Sequence, residues 1–225
     1  MASEKDICIY ALQHIGQFAD MVSLDEDSQH AAVAKKAYPF VRDAMLERHT
    51  WNFATAKKRL ARIENEEGEA AFPLPADCLR VADVSVPDSW GYEKIEWEVR
   101  LIGDVRCVVL TGDFTYSKTE ITVSYVKRVT NTAAFSAGFA DALSWNLAAA
   151  IAGPIVKGDT GITVAQKLAQ YAQAFESKAV SVDASQGRER KRTPLAPWHG
   201  GFGFYYSKTE SRYPTPMDER GDFEL

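Results

Sequence analysis

Cysteine is scarce: Cys8, Cys78 and Cys107 are the only three in 225 residues, they lie far apart, and no CxxC pair occurs. That spacing excludes the common zinc and dithiol-redox motifs and leaves three buried free thiols as the expectation. A run of about 18 apolar residues is also missing, and the opening MASEKDICIY lacks the basic-then-apolar order of a secretory signal. The expectation is a chain made and kept in a cytoplasm, unless something larger carries it out, with no membrane partner. Nor is there a basic surplus. A net charge of -5 argues against a general binder of the phosphate backbone.

Motifs that carry chemistry are missing as well. His14, His30, His49 and His199 are scattered, with no HExxH and no pair at metal-ligand spacing. GFGFYY and GDTGITVAQK contain glycines, but neither is a phosphate-cradling loop between a strand and a helix, and no GxSxG elbow occurs. The acidic ENEEGE at 64–69 reads either as a solvated loop or as carboxylates for glycoside hydrolysis, which needs two acids across one bond. RERKR at 188–192 reads as contact with phosphates, with an acidic protein surface or with water. No catalytic residue, metal ligand or cofactor is expected.

What is present suits a globular chain, because 46 % hydrophobic and 25 % charged residues support a real core. SEKDICIYALQHIGQF opens with Ser3 and Asp6 at capping-box spacing, and Ile7, Ala11, Ile15 and Phe18 recur at helical intervals. A second helix follows a Ser28 cap, with Ala34, Tyr38, Val41 and Met45 on one stripe, and Pro39 is expected to kink or divide it. From about residue 55 the period changes. LPADCLRVADVSV, EKIEWEVRLI, VRCVVLTG and TEITVSYVKRV are short and rich in β-branched residues, which reads as a small antiparallel sheet or barrel.

Helical spacing returns with Phe139, Leu143, Leu147, Ala150 and Ile151, a stripe that Gly153 and Pro154 are expected to terminate. After a Gly-rich loop a last helix is expected, with Val164, Leu168, Tyr171, Phe175, Ala179 and Val182 in line. The reading is therefore an α+β chain: a four-helix bundle interrupted by an inserted small antiparallel β domain, with an extended C-terminal arm. Residues 1–54 form the first half of the bundle, 55–131 the β domain, 132–185 the second half and 186–225 the arm.

Two stretches stand out. VRDAMLERHTWNFA at 41–54 ends in Trp51, Asn52 and Phe53, which read as a structural join of bundle and β domain, with Asn52 expected to turn or cap the chain by bonding nearby backbone. The arm has no helical or strand period yet holds Trp198, Phe202, Phe204, Tyr205, Tyr206 and Tyr213. Solvating tails are poor in aromatics. These residues read either as anchors for pockets on another chain or as a strap back onto their own domain.

In order, ALQHIG, VSLDEDSQHAA, VRDAMLERHTWNFA, FPLPADCLRVADV and FADALSWNLAAAIA before a long last helix resemble the head-to-tail adaptor proteins of tailed bacteriophages, of the tail tubular protein A kind. The resemblance implies a virion protein of the tail or neck, assembled in the host cytoplasm as a homo-oligomeric ring of about twelve copies between the portal protein and the tail nozzle protein. It implies a DNA channel through which DNA passes without specific binding, with a lumen poor in basic residues. The arm then becomes the candidate portal contact, through Arg188, Arg190, Lys191, Arg192, Trp198, Phe202, Phe204, Tyr205 and Tyr206. Two other functions stand beside it, a tail-associated glycan hydrolase and a DNA-contacting head-completion protein.

Overall fold

Ser3 starts the first helix by a reciprocal capping box. Its hydroxyl accepts the Asp6 N–H at 3.2 Å, and the Asp6 carboxylate accepts the Ser3 N–H at 2.9 Å. The computed structural model describes residues 2–17, 29–63, 70–86, 96–111, 119–156 and 158–186. Residues 1–188 make one compact unit.

Among the described residues the fold is α+β, with four α-helices and two three-stranded antiparallel sheets. The helices are α1 (Glu4–His14), α2 (Gln29–Arg48), α3 (Ala137–Val156) and α4 (Gly158–Ser185). The strands, β1 (Thr55–Ala61), β2 (Ala70–Pro73), β3 (Cys78–Ser85), β4 (Glu96–Ile102), β5 (Val105–Thr111) and β6 (Glu120–Lys127), all fall between α2 and α3.

Helix α3 is the common partner, since α1, α2 and α4 each pack against it. Phe139, Ala142, Leu143, Leu147, Ala148, Ile151 and Ala152 are all buried, so its apolar residues wrap most of its circumference. Among the described helices it is the one long and apolar enough to cross a membrane. Packing on three neighbours gives that apolarity a use inside the fold.

The sheets run β1-β6-β3 and β2-β5-β4, and an isolated bridge between Ile63 and Ala71 links them at one corner. Strand β6 sorts its side chains by face. Ile121, Val123 and Tyr125 enter the core between the sheets with Leu60, Phe72, Val81, Val108 and Leu110, whereas Val126 and then Val129 enter the helical core. The C-terminal end of β6 is thus where sheet meets helices.

Several expectations need correction. Helix α2 is not divided at Pro39, since it spans Gln29–Arg48. The lost N–H is outweighed by burial of Ala34, Tyr38 and Met45 on one face. Gly153 and Pro154 do not end α3, which continues to Val156, and the expected Gly-rich loop belongs to α4, which is helical from Gly158. The glycines serve the helix crossing instead. A Cβ on Gly161 would lie 3.4 Å from the Gly153 carbonyl oxygen, so small residues let α3 and α4 approach, while Gly158 at φ +67° takes the left-handed conformation at the reversal. In the expected stripes, Ala150, Tyr171 and Val182 are exposed. Strands β1 and β2 escape the sequence reading, because TAKKRLA is a basic edge strand and AAFP is only four residues long. The thiols agree with expectation, as Cys8, Cys78 and Cys107 are free and buried.

Candidate functional site

The chain leaves α2 and enters the sheet through Trp51, and everything around that point is built to hold it. Trp51 is fully buried, and its indole Nε1–H donates to the Met45 carbonyl at 3.1 Å, satisfying the ring and one carbonyl of the last helical turn together. Its ring meets Phe139 of α3 edge-on at 4.9 Å and His49 edge-on at 5.1 Å. Phe53 meets the same Phe139 at 5.0 Å and Phe135 at 5.7 Å, and Phe135 closes the set against Phe139 at 4.8 Å. Tilted and edge-to-face contacts place ring edges on ring faces, the arrangement the ring quadrupoles favour. One cluster therefore holds the end of α2, the start of β1 and the start of α3.

Asn52 lies between the two anchors and opens a short 3₁₀ turn, Asn52–Ala54, whose first residue receives no side-chain cap from Trp51. The cap comes from α4. The Asn52 N–H donates to Oδ2 of Asp183 at 3.0 Å, and the Asn52 side-chain amide donates to the Asp183 carbonyl at 2.6 Å. The expected bonding to nearby backbone is thus replaced by a partner 131 residues away. Asp183 is 4 % exposed and sits in the last turn of α4, where the helix dipole disfavours a negative charge, so the Asn52 N–H compensates it where the helix does not.

Arginines fasten the sheet to α2. Arg80 of β3 donates through Nε to the Glu47 carbonyl at 2.8 Å and through Nη2 to the Thr50 hydroxyl at 2.7 Å, which places a cation on the C-terminal end of α2. Arg128, just past β6, donates to Oδ2 of Asp43 at 2.8 Å, while Arg42 donates to Oδ1 of the same carboxylate at 2.9 Å. Farther round, Arg48 pairs with Glu176 of α4 at 2.7 Å. Sequence reasoning missed Arg80, Asp43, Arg128 and Asp183. Each is an ordinary charged residue whose partner lies far off in the chain, so no local spacing marks it.

A second constellation ties α1 to α3. His14 stacks on Trp145 at 3.6 Å, Trp145 stacks on Phe175 of α4 at 5.0 Å, and His14 Nε2 lies 3.1 Å from the Ser144 hydroxyl. Beside it is a cleft of about 460 Å³ lined by Tyr10, His14, Phe135, Asp141 and Ser144 among others. A histidine beside a serine suggests a nucleophile, but the geometry points to packing. Ser144 donates its proton to the Asp141 carbonyl at 2.7 Å and is 2 % exposed, so its proton is committed to the backbone and not to His14. Burial lowers the His14 pKa below its ordinary value, against the opposing pull of Asp141.

No protein-family model matches the chain, and no curated protein matches it either.

The remaining sequence candidates are placed as follows. Arg188, Arg190, Lys191, Arg192, Trp198, His199, Phe202, Phe204, Tyr205, Tyr206 and Tyr213 lie outside the described residues, as do the acidic stretch 64–69 and the Ser28 cap. His49 sits on Trp51, far from the cleft pair of His14 and Ser144 in sequence, and GDTGITVAQK forms the first turns of α4. Among the described residues no group of three His, Cys, Asp or Glu side chains could hold a metal ion. At residues 51–53 two aromatic anchors packed on α3 flank an asparagine bonded to α4.

Proposed function

We propose that this chain is a structural adaptor of a tailed-phage virion, forming a ring of about twelve copies between the portal protein and the tail nozzle and extending the DNA channel. In this reading α1 to α4 act as one helical bundle divided by the β unit. The chain works by assembly and catalyses nothing.

The observation that carries the reading is the double tie of Asn52 to Asp183 beside the Trp51, Phe53, Phe135 and Phe139 cluster. A ring of heterologous contacts closes only if each subunit presents its two contact surfaces at a fixed angle. A chain whose β unit hung from its helices by two loose crossings would let that angle vary. Aromatic packing, a helix capped in trans and arginines on the end of α2 all oppose such variation. The order of segments supports the reading too, since helices, β unit and helices follow each other as in the adaptors the sequence resembles.

Residues 186–225 are the proposed portal arm, with the Arg188 to Arg192 charges and the aromatics from Trp198 to Tyr206 as its contacts. DNA is proposed to pass the ring ungripped, in keeping with the net charge of -5. Electron microscopy of the purified chain mixed with its cognate portal tests the assembly directly. Side views are expected to gain a layer of density beneath the portal. Portal particles that look the same with and without the chain would sink the proposal.

A further inference from the structure

Strand β4 ends the sheet order β2-β5-β4, so among the described strands it has a neighbour on one side only. Its register against β5 sets Trp97 opposite Leu110, Val99 opposite Val108 and Leu101 opposite Arg106, which puts Trp97, Val99 and Leu101 on one face. Trp97 packs partly on the core between the sheets, whereas Val99 is 41 % exposed and Leu101 66 % exposed. On the other face Glu98 and Arg100 are exposed and form an ion pair with each other.

Edge strands usually carry charge that discourages pairing with another chain. The charges of β4 do the reverse for one partner. When EWEVRLI is laid antiparallel to a second copy of itself, with Val99 opposite Val99, Glu98 of each copy falls opposite Arg100 of the other. Trp97 of each copy then falls opposite Leu101 of the other. Centring the pair on Glu98 or on Arg100 instead sets like charges directly opposite, which is destabilising in a sheet. One register therefore satisfies both faces.

We propose that β4 is a homotypic docking edge, through which two copies of this chain pair antiparallel about a two-fold axis at Val99 and join two sheets into one. The pairing covers Val99 and Leu101 of both copies with a continuous apolar strip and exchanges two Glu98–Arg100 pairs between copies. A two-fold contact uses the same patch on both copies and closes on itself, whereas a ring needs two different patches. The β4 contact is therefore additional to any ring surface and does not rest on the adaptor reading.

Analytical ultracentrifugation of the full chain tests it with charge swaps at solvent-facing positions. The unaltered chain is expected at twice the 25.0 kDa chain mass. Glu98→Arg alone and Arg100→Glu alone each set like charges opposite one another, and each is expected at the single-chain mass. The double variant E98R/R100E restores opposite charges and is expected to pair again. An equimolar mixture of the two single variants is expected to form a heterodimer, which also shows that both fold. A chain that sediments at any mass other than the pair, single swaps that leave the pair intact, or a mixture that stays monomeric would each overturn the proposal.

Discussion

Asn52 donates both its backbone N–H and its side-chain amide to Asp183, so the start of the β unit is held by the last turn of the final helix. Nothing between them in the chain needs to be rigid for this tie to form. It links the crossing from α2 into the sheet to the C-terminal turn of α4.

Asp183→Ala leaves the Asn52 N–H without its acceptor and is expected to cost about 1–3 kcal/mol, while Asn52→Ala removes the side-chain bond only and costs about 0.5–1.5 kcal/mol. Each substitution removes a different bond of the tie, so the double variant is expected to cost about the sum of the two single losses. Urea unfolding of the three variants measures this. Single variants as stable as the unaltered chain would show that the tie contributes nothing.

The aromatic cluster is expected to matter more than the exposed ion pair beside it. Phe139→Ala opens a cavity beneath Trp51 and Phe53 and is expected to cost about 3–5 kcal/mol. Arg48→Ala breaks a bridge whose arginine side chain is 51 % exposed, so at most about 1 kcal/mol is expected. Thermal denaturation that ranks the two the other way would move the weight of the join from packing to charge.

His14 predicts a pH dependence. Its folded pKa lies below its ordinary value of about 6.5 because burial disfavours the imidazolium. The unfolded chain then binds the proton more readily, so stability is complete above about pH 6.5 and falls as the pH drops toward the lower folded pKa. His14→Gln is expected to flatten the difference in unfolding midpoint between pH 7.5 and pH 5.5. An unchanged difference would assign it to other groups.

Burial, with a smaller push from Glu4, raises the Cys8 thiol to about 12, and burial raises Cys78 and Cys107 above their ordinary range. All three are therefore protonated and covered at neutral pH, and alkylation of the native chain is expected to be slow until denaturant opens it. Rapid native labelling of any one would show that its surroundings open locally.

Sequence and structure part company in a regular way. The Ser3 and Asp6 capping box was legible because both partners lie within one turn, and β3 to β6 were legible because β-branched residues mark them. Trp51 and Phe53 were visible as aromatics where the hydrophobic period changes, but their shared partner Phe139 was not, since no pattern relates positions so far apart. Gly153 and Pro154, and Pro39 as a divider of α2, misled because local rules for breakers assume an isolated helix. Here the buried face of α2 and the close crossing of α3 and α4 override them. Asp183 was invisible for the plainest reason: its role exists only after the chain has closed on Asn52.

The measurement that bears most directly on the proposed adaptor is the native mass of the cognate portal ring before and after adding this chain. With a chain mass of 25.0 kDa, binding of about twelve copies is expected to raise it by roughly 300 kDa in a single step. A portal whose mass does not change in the presence of excess chain would contradict the adaptor reading.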